Sequence, residues 1–324
     1  MRDDFRVERL PGMKRAIRHG AAFAIGPSII TRDCTLALSF DKEPKLSTRV
    51  GTNQFGKAQE MAPSDVLLRK LKYHSPIDSA DVAAVRRLRY NIRELAPGEE
   101  FISQGDRPKA AAIVIEGIMA RYHTLRSGSR QYLALHYPGD WPDAQGLFLQ
   151  QMDHSVCAMG RALVCSVSHE QLMKVFAERP TIGFSVWRET LIDAAIFRES
   201  ITNNCGRHGT ARIAHFFCEQ FYRAKFAGLV EDNACPLPLT QAQLGEMLGM
   251  SLVSTNRYLQ PLRQTKAADH RAGKLFIRSW PKLASLGEFD PKYLHQIVRQ
   301  SASQRSPEGL GNVGTKSFAR DAAS

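Results

Sequence analysis

The chain has no cysteine pair at C-x-x-C spacing. Its six cysteines, at 34, 157, 165, 205, 218 and 235, are scattered, which leaves the usual zinc and iron–sulfur frameworks without a ligand set. It has no apolar run long enough to cross a bilayer and no stretch that reads as a signal peptide. Free thiols in a reducing cytoplasm are the expectation. There is no Gly-x-Ser-x-Gly elbow and no P-loop. The enzyme alternative, a jelly-roll metalloenzyme, would need two histidines and a carboxylate on one site, and no His-x-His pair with a following carboxylate occurs in the strand-rich stretch. Acidic residues are also short. Forty-four Lys and Arg stand against 32 Asp and Glu, a net charge of +12.

What is present centres on Leu239 to Gln264, LTQAQLGEMLGMSLVSTNRYLQPLRQ. Gln241 to Leu248 is built of helix formers, with Leu244 and Leu248 on one face. Gly249 sits where a helix end wants a left-handed residue. Ser251 is an N-cap for a second helix. That helix turns Thr255, Tyr258 and Leu259 inward and Ser251, Leu252, Asn256 and Arg257 outward. Gly245 costs about 1 kcal/mol in mid-helix, which makes sense if two helices cross closely there. A plain core hairpin would leave Gly245, Gly249, Ser251 and the outward Asn-Arg pair unexplained; a helix-turn-helix explains all of them. From Leu239 to Lys282 the chain carries seven Lys or Arg against Glu246 and Asp269, a local +5 that favours a polyanion as partner.

The rest of the chain falls into a recognisable order. Residues 1–60 lack periodicity and are expected to be a poorly ordered extension; a small extra domain, or a true start at Met61, are the other readings. Ser64 to Arg93 reads as helical, through Val66, Leu67, Leu68 and Leu71 and then Val82, Val85 and Leu88. From Leu95 short strands alternate with glycines. Ala111 to Ile115, Gln131 to His136 and Ala162 to Ser168 read as strands of a sandwich or barrel. Pro97-Gly98-Glu99, Gln104-Gly105-Asp106, Ile113 to Gly117, Gly128 and Pro138-Gly139-Asp140 resemble the cyclic-nucleotide-binding β-roll. With the helix-turn-helix downstream, residues 66 to 294 resemble the Crp/Fnr family of bacterial transcription regulators.

The resemblance implies an α+β protein. A jelly-roll-like β-roll sensor with flanking helices would span 64–180, a long dimerisation helix 181–205, and a winged helix-turn-helix domain 206–295. Residues 296–324 are expected to be a disordered tail. In the long helix Trp187, Leu191, Ala194, Ala195 and Ile201 lie near heptad spacing, and a core helix is the alternative. Asn203 to Gly209 is a candidate hinge. Asp269 to Lys274 and Leu275 to Ile277 fit the wing.

The family resemblance also carries site expectations. Its phosphate cassette uses Gly-Glu and Arg-Ser; the matching positions here hold Asp143-Ala144 and His154-Ser155. A neutral His cannot replace a bidentate Arg, so cyclic AMP is disfavoured as effector. Only Cys34 precedes the roll, so an iron–sulfur cluster is disfavoured too, no cofactor is expected, and His123, His136, His154 and His169 are read as core or surface residues. DNA contacts are expected from Thr240 and Gln241 to phosphates, from Ser251, Leu252, Val253, Asn256 and Arg257 to bases, and from Lys274 on the wing. Pro261 should kink or fray the second helix beyond its reading turns. The implied partners are double-stranded DNA, a second copy of the chain and RNA polymerase, with no membrane. A DNA binder whose roll is only a scaffold, with no small-molecule effector, is the nearest alternative.

Overall fold

The computed structural model describes residues 61–296. The expectations for residues 1–60 and for the tail from 297 onward lie outside the described residues. Helix α1 (Pro63–Lys72) buries Val66, Leu67, Leu68 and Leu71, the apolar face read from its sequence. Helix α2 (Ser79–Arg86) is held at its start by a capping box: the Asp78 carboxylate accepts from the Asp81 N–H (2.7 Å) and the Asp81 carboxylate from the Asp78 N–H (3.2 Å). Arg179 then clamps both carboxylates at 2.7 Å.

The helical reading through Arg93 is corrected here. Residues Asn91–Leu95 form strand β1, which pairs antiparallel along its whole length with β7 (Ala162–Ser168). Pairing partners distant in sequence decide the state of such a short segment, and local propensity does not. The roll has two sheets, ordered β1-β7-β3 and β2-β6-β4-β5. Its other strands are β2 (Glu100–Ile102), β3 (Ala110–Glu116), β4 (Met119–Thr124), β5 (Arg130–His136) and β6 (Ser155–Ala158). The strands expected at 111–115, 131–136 and 162–168 are β3, β5 and β7. Leu95, Ile102, Val114, Met119, Val156 and Val164 fill the space between the sheets.

After α3 (His169–Glu178), helix α4 (Pro180–Gly206) runs 27 residues, about 40 Å at 1.5 Å per residue. One face, with Ile182, Val186, Ile192, Ala195 and Ile196, is buried. The other leaves Phe184, Trp187, Leu191 and Ile201 more than half exposed. Ala195, expected on the outward seam, is 5% exposed and belongs to the inward face.

Arg207 and His208 join α4 to the second domain, within the stretch read as a hinge. That domain contains α5 (Gly209–Phe226), β8 (Ala234–Pro236), α6 (Gln241–Leu248), α7 (Leu252–Gln264), β9 (Ala268–Arg271), β10 (Lys274–Ile277), α8 (Trp280–Gly287) and a 3₁₀ turn at Pro291–Leu294. Its core joins Ile213, Phe217, Leu237, Leu244, Leu259, Leu275 and Leu283. The same apolar cluster continues into Tyr132, Leu135 and Tyr137 of the roll, so the two domains share buried surface.

A buried ionic node joins the domains. Gly139 makes it reachable: its φ is +97°, and a Cβ there would lie 2.7 Å from Lys70 Cβ, so only glycine lets α1 settle on the turn. Asp140 then bonds Lys70 (2.8 Å) and Arg223 of α5 (2.9 Å). Arg223 also donates to the Leu135 carbonyl (2.8 Å), and Lys70 reaches Glu189 of α4 (3.4 Å). Burial alone would raise the Asp140 carboxyl; Lys70 and Arg223 outweigh it and hold it well below the usual carboxylate range. Arg223→Ala would leave buried Glu219 without its cation and Asp140 with Lys70 alone, and should cost about 3–5 kcal/mol of stability by urea unfolding. Because the Asp140 pKa is depressed, the pair stabilises above the ordinary carboxylate pKa near 4 and weakens as pH falls. The gap between wild type and variant should therefore narrow on acidification; a gap that widens would place the stabilisation elsewhere.

Candidate nucleic-acid interface

Helix α6 starts at a capping box. The Thr240 hydroxyl accepts from the Gln243 N–H (3.2 Å), and the Gln243 side chain accepts from the Thr240 N–H (2.8 Å). It ends at Gly249, in the left-handed region at φ +64°. The chain turns immediately, and the Met250 N–H returns to the Gly245 carbonyl at 2.8 Å. Ser251 caps α7 by accepting from the Ser254 N–H at 3.2 Å.

Gly245 sets how closely the two helices approach. A Cβ on it would lie 2.6 Å from the Thr255 hydroxyl oxygen and 2.7 Å from the Met250 carbonyl oxygen. Thr255, Leu259 and Leu262 are fully buried beneath α7, and Tyr258 is half-buried. The opposite face carries Leu252, Val253, Asn256 and Arg257, all exposed; Val253 is 79% exposed and Leu252 50%. Two apolar side chains standing in water at a helix start, beside an amide and a guanidinium, suit the mixed chemistry of a major groove.

Arg257 lies over the Tyr258 ring (4.7 Å) and donates to the Tyr258 hydroxyl (2.9 Å). This contact is exposed, so the guanidinium can exchange it for two acceptors on one base at little cost. Thr240 is exposed and Gln241 half-buried at the α6 start. Strands β9 and β10 are joined by a two-residue turn, Ala272 (φ +51°) and Gly273 (φ +70°), which matches the hairpin geometry of the expected wing. Lys274 opens β10 there, exposed. Thus the residues singled out on α7 share one face, Thr240 and Gln241 lie at the start of the helix packed against it, and Lys274 stands apart on the wing.

Of the two outcomes expected at Pro261, early fraying does not occur. Helix α7 runs three residues past it, to Gln264, and the Thr265 N–H bonds the Pro261 carbonyl at 3.0 Å. It does not fray early, because Leu259 and Leu262 are locked into the core on either side of the proline. Part of the local positive charge is neutralised, since Asp269 pairs with Arg263 (3.1 Å) and Arg271 (3.5 Å).

Helix α5 opens at Gly209, as GTARIAHFFC reads in the sequence, but what packs against that opening was not legible there. The Tyr258 ring lies so close to Gly209 that a Cβ there would sit 2.2 Å from it, and the His208 ring meets Tyr258 edge-on at 5.1 Å. The free N–H groups of an 18-residue helix thus begin beside Tyr258, the neighbour of Arg257. A glycine opening a helix was visible, but its neighbour 49 residues downstream was not.

The cassette positions are filled from within. His154 is buried, its Nδ1 against Asp153 (2.6 Å) and its Nε2 near Gln145 (3.2 Å) and the Pro142 carbonyl (3.3 Å). Burial, then Arg121, lowers its pKa, which keeps it neutral. Arg121 beside it is already paired with Asp193 (2.7 Å) and the Pro142 carbonyl (2.8 Å). The Asp143 carboxyl accepts from the Ala112 N–H (2.7 Å), and burial pushes its pKa up to about 7. Ser155 accepts from the Gln104 N–H (2.9 Å). Between Trp141, Ala144 and α4 a space of about 30 Å³ remains, room for about two waters.

Comparison with known proteins agrees with this geometry. Residues 92–179 match the cyclic nucleotide-binding domain, and residues 211–286 match the Crp-like helix-turn-helix domain. This chain belongs to the Crp/Fnr family of transcription regulators. It is 25% identical over 190 residues to the transcriptional activator protein FnrL of Cereibacter sphaeroides, covering 58% of this chain and 75% of that one. It is 23% identical over 203 residues to the nitrogen fixation regulation protein FixK of Bradyrhizobium diazoefficiens, covering 62% and 83%. The solved structure of FixK2 from Bradyrhizobium japonicum shares the fold at TM-score 0.55 and 21% identity, covering 61% of this chain and 98% of that one. In this Crp/Fnr-type regulator the first match spans β1 to α3 and the second α5 to α8; all of α4 lies between them, matched by neither. The family is one of regulators and not of enzymes.

Gly245→Ala tests the helix crossing. Alanine would ordinarily gain about 1 kcal/mol in a helix. Here overlap with Thr255 and the Met250 backbone should outweigh that gain, for a net loss of about 1–3 kcal/mol and weaker DNA binding. Thermal unfolding reads the sign, and a raised melting temperature would mean that α6 and α7 have slack between them.

Proposed function

We propose that this regulator is a homodimer that reads an inverted-repeat DNA site through α7. The observation that carries the reading is the exposed α7 face, where Asn256 and Arg257 stand beside Leu252 and Val253. Arg257 would take guanine O6 and N7, Asn256 an adenine, and the two aliphatic side chains thymine methyls. Thr240, Gln241 and Lys274 would hold phosphates, with Ser251 as cap and neighbour of the bases.

Dimerisation is supported by α4. Phe184, Trp187, Leu191, Ala194, Arg198, Ile201 and Cys205 follow each other at alternating three- and four-residue steps, the spacing of a two-helix seam. A face that apolar and exposed on a 27-residue helix invites a second copy. Action in the cytoplasm and contact with RNA polymerase are part of the same proposal. No helix among the described residues is long and apolar enough to cross a membrane.

The effector is proposed not to be cyclic AMP. Support comes from the neutral, internally bonded His154 and from Arg121 being committed to Asp193. An iron–sulfur cluster is likewise not proposed. Burial pushes the Cys157 thiol up to about 11 and those of Cys165 and Cys235 up to about 12, away from the thiolates a cluster needs.

Two measurements test these statements. Binding to a randomised-site library at two salt concentrations should yield half-sites one helical turn, ~34 Å, apart. Arg257→Ala should cost about 1–3 kcal/mol per half-site and relax preference at one base pair. Lys274→Ala should weaken all sequences alike and reduce the salt slope by about one. If Arg257→Ala altered only the salt slope, Arg257 would be a phosphate contact and the docking of α7 would be wrong. In calorimetry, cyclic AMP should bind at about millimolar Kd or weaker, near −4 kcal/mol at most; micromolar affinity would contradict the reading of the cassette.

A further inference from the structure

A second cleft, of about 260 Å³, opens between the roll and the DNA-binding domain. Leu135 of β5, Phe197 and Ser200 of α4, Phe216 of α5 and Met247 of α6 contribute to its walls. It is several times roomier than the space between Trp141, Ala144 and α4. Its size lies just below the range of about 300–1,000 Å³ over which small-molecule sites fall, which selects a ligand smaller than a nucleotide.

The charged groups lining the cleft are already paired. Arg223 holds Asp140 (2.9 Å) and faces Glu219 (3.7 Å), and Glu219 accepts from the Tyr293 hydroxyl (2.8 Å). His215 has Nδ1 against the Gly287 carbonyl (3.0 Å) and Nε2 against Glu199 and the Tyr293 hydroxyl (both 3.3 Å). Burial, then Arg207, lowers its pKa and keeps it neutral. A charged ligand would therefore find no free counter-charge here and would pay for desolvation uncompensated.

One polar atom is unanswered. The Asn204 amide nitrogen donates to the Met247 carbonyl at 3.3 Å, which orients the group, and the remaining oxygen is buried with no hydrogen-bond partner. A buried acceptor in that condition gains from any N–H or O–H that a small shift of the cleft wall admits to it.

We propose that this interdomain cleft binds a small uncharged effector with an aromatic or branched apolar body and one N–H or O–H donor for Asn204. Two walls belong to the sensor side and two to the DNA-binding domain, so an occupant touches both. Binding there changes DNA affinity to the extent that the cleft differs between the free and DNA-bound protein, and DNA changes ligand affinity by the same factor. The regulatory half of this statement rests on the DNA-binding reading above; the binding half does not.

The test uses the full chain and N-phenyl-1-naphthylamine, an uncharged two-ring probe with one N–H that fluoresces on leaving water. Saturable binding at one probe per chain is expected. Ser200→Trp, which fills the cleft from α4, should weaken it at least about tenfold. Asn204→Leu, which keeps the volume and removes the acceptor, should weaken it about three- to tenfold, the worth of one hydrogen bond. Should the tryptophan variant not fold, the leucine variant carries the test alone. Saturating probe should shift the affinity for a labelled inverted-repeat DNA by at least about threefold. Non-saturable binding, or binding that the folded variants leave unchanged, overturns the site. Site-specific binding with no change in DNA affinity overturns the effector role. Failure to bind DNA both with and without probe would instead sink the regulator reading and leave the binding arm decisive for the cleft.

Discussion

The Asp140 carboxylate is the point on which the arrangement of the domains turns. It lies at the end of the turn after β5, 7% exposed, and accepts from Lys70 of α1 and Arg223 of α5 while also receiving the Tyr137 N–H at 2.9 Å. Glu189 of α4 completes the cluster through Lys70. Buried ion clusters add little net stability over well-packed apolar groups, but removing one member leaves the others uncompensated. The cluster therefore acts chiefly on geometry. With it in place, α5 lies against β5, Tyr137 donates to Gln220 (3.1 Å), and Gln243 of α6 donates to the Tyr132 hydroxyl (3.2 Å). The helix-turn-helix is thus presented at a defined angle to the sensor.

The junction between the domains is held by side chains. The Asn203 amide donates to the Arg212 carbonyl (3.1 Å), Arg212 donates to the carbonyls of Leu248 (3.0 Å) and Arg207 (3.1 Å), and Arg207 pairs with Glu199 (2.8 Å). At the far end Leu294 packs on Ile192 and Ile196 of α4. Movement of α7 relative to the roll requires several of these to part together. Such a joint has few discrete positions, and a ligand that contacts both sides can choose between them.

Helix α4 serves two surfaces at once. Its inward face closes the roll, and its outward aromatic and aliphatic residues remain in water. That double apolarity is why neither the core-helix nor the seam reading of the sequence was complete by itself: each described one face.

The sequence by itself determined the order of parts. Gly249, Ser251 and the alternation of Leu244, Leu248, Thr255 and Leu259 are local signals, set by capping and helical period, and they located α6, α7 and the exposed face without any tertiary knowledge. The turn glycines and short apolar runs did the same for β3, β5 and β7. Only the tertiary structure decided β1, whose partners lie 67 to 75 positions away, and the continuation of α7 past Pro261, which core packing enforces. It alone decided the Asp140 node, the meeting of Gly209 with Tyr258 and the cleft at Asn204. Each of these joins residues far apart in the chain, and no periodicity along a sequence records which distant side chains will share a buried volume or a buried charge.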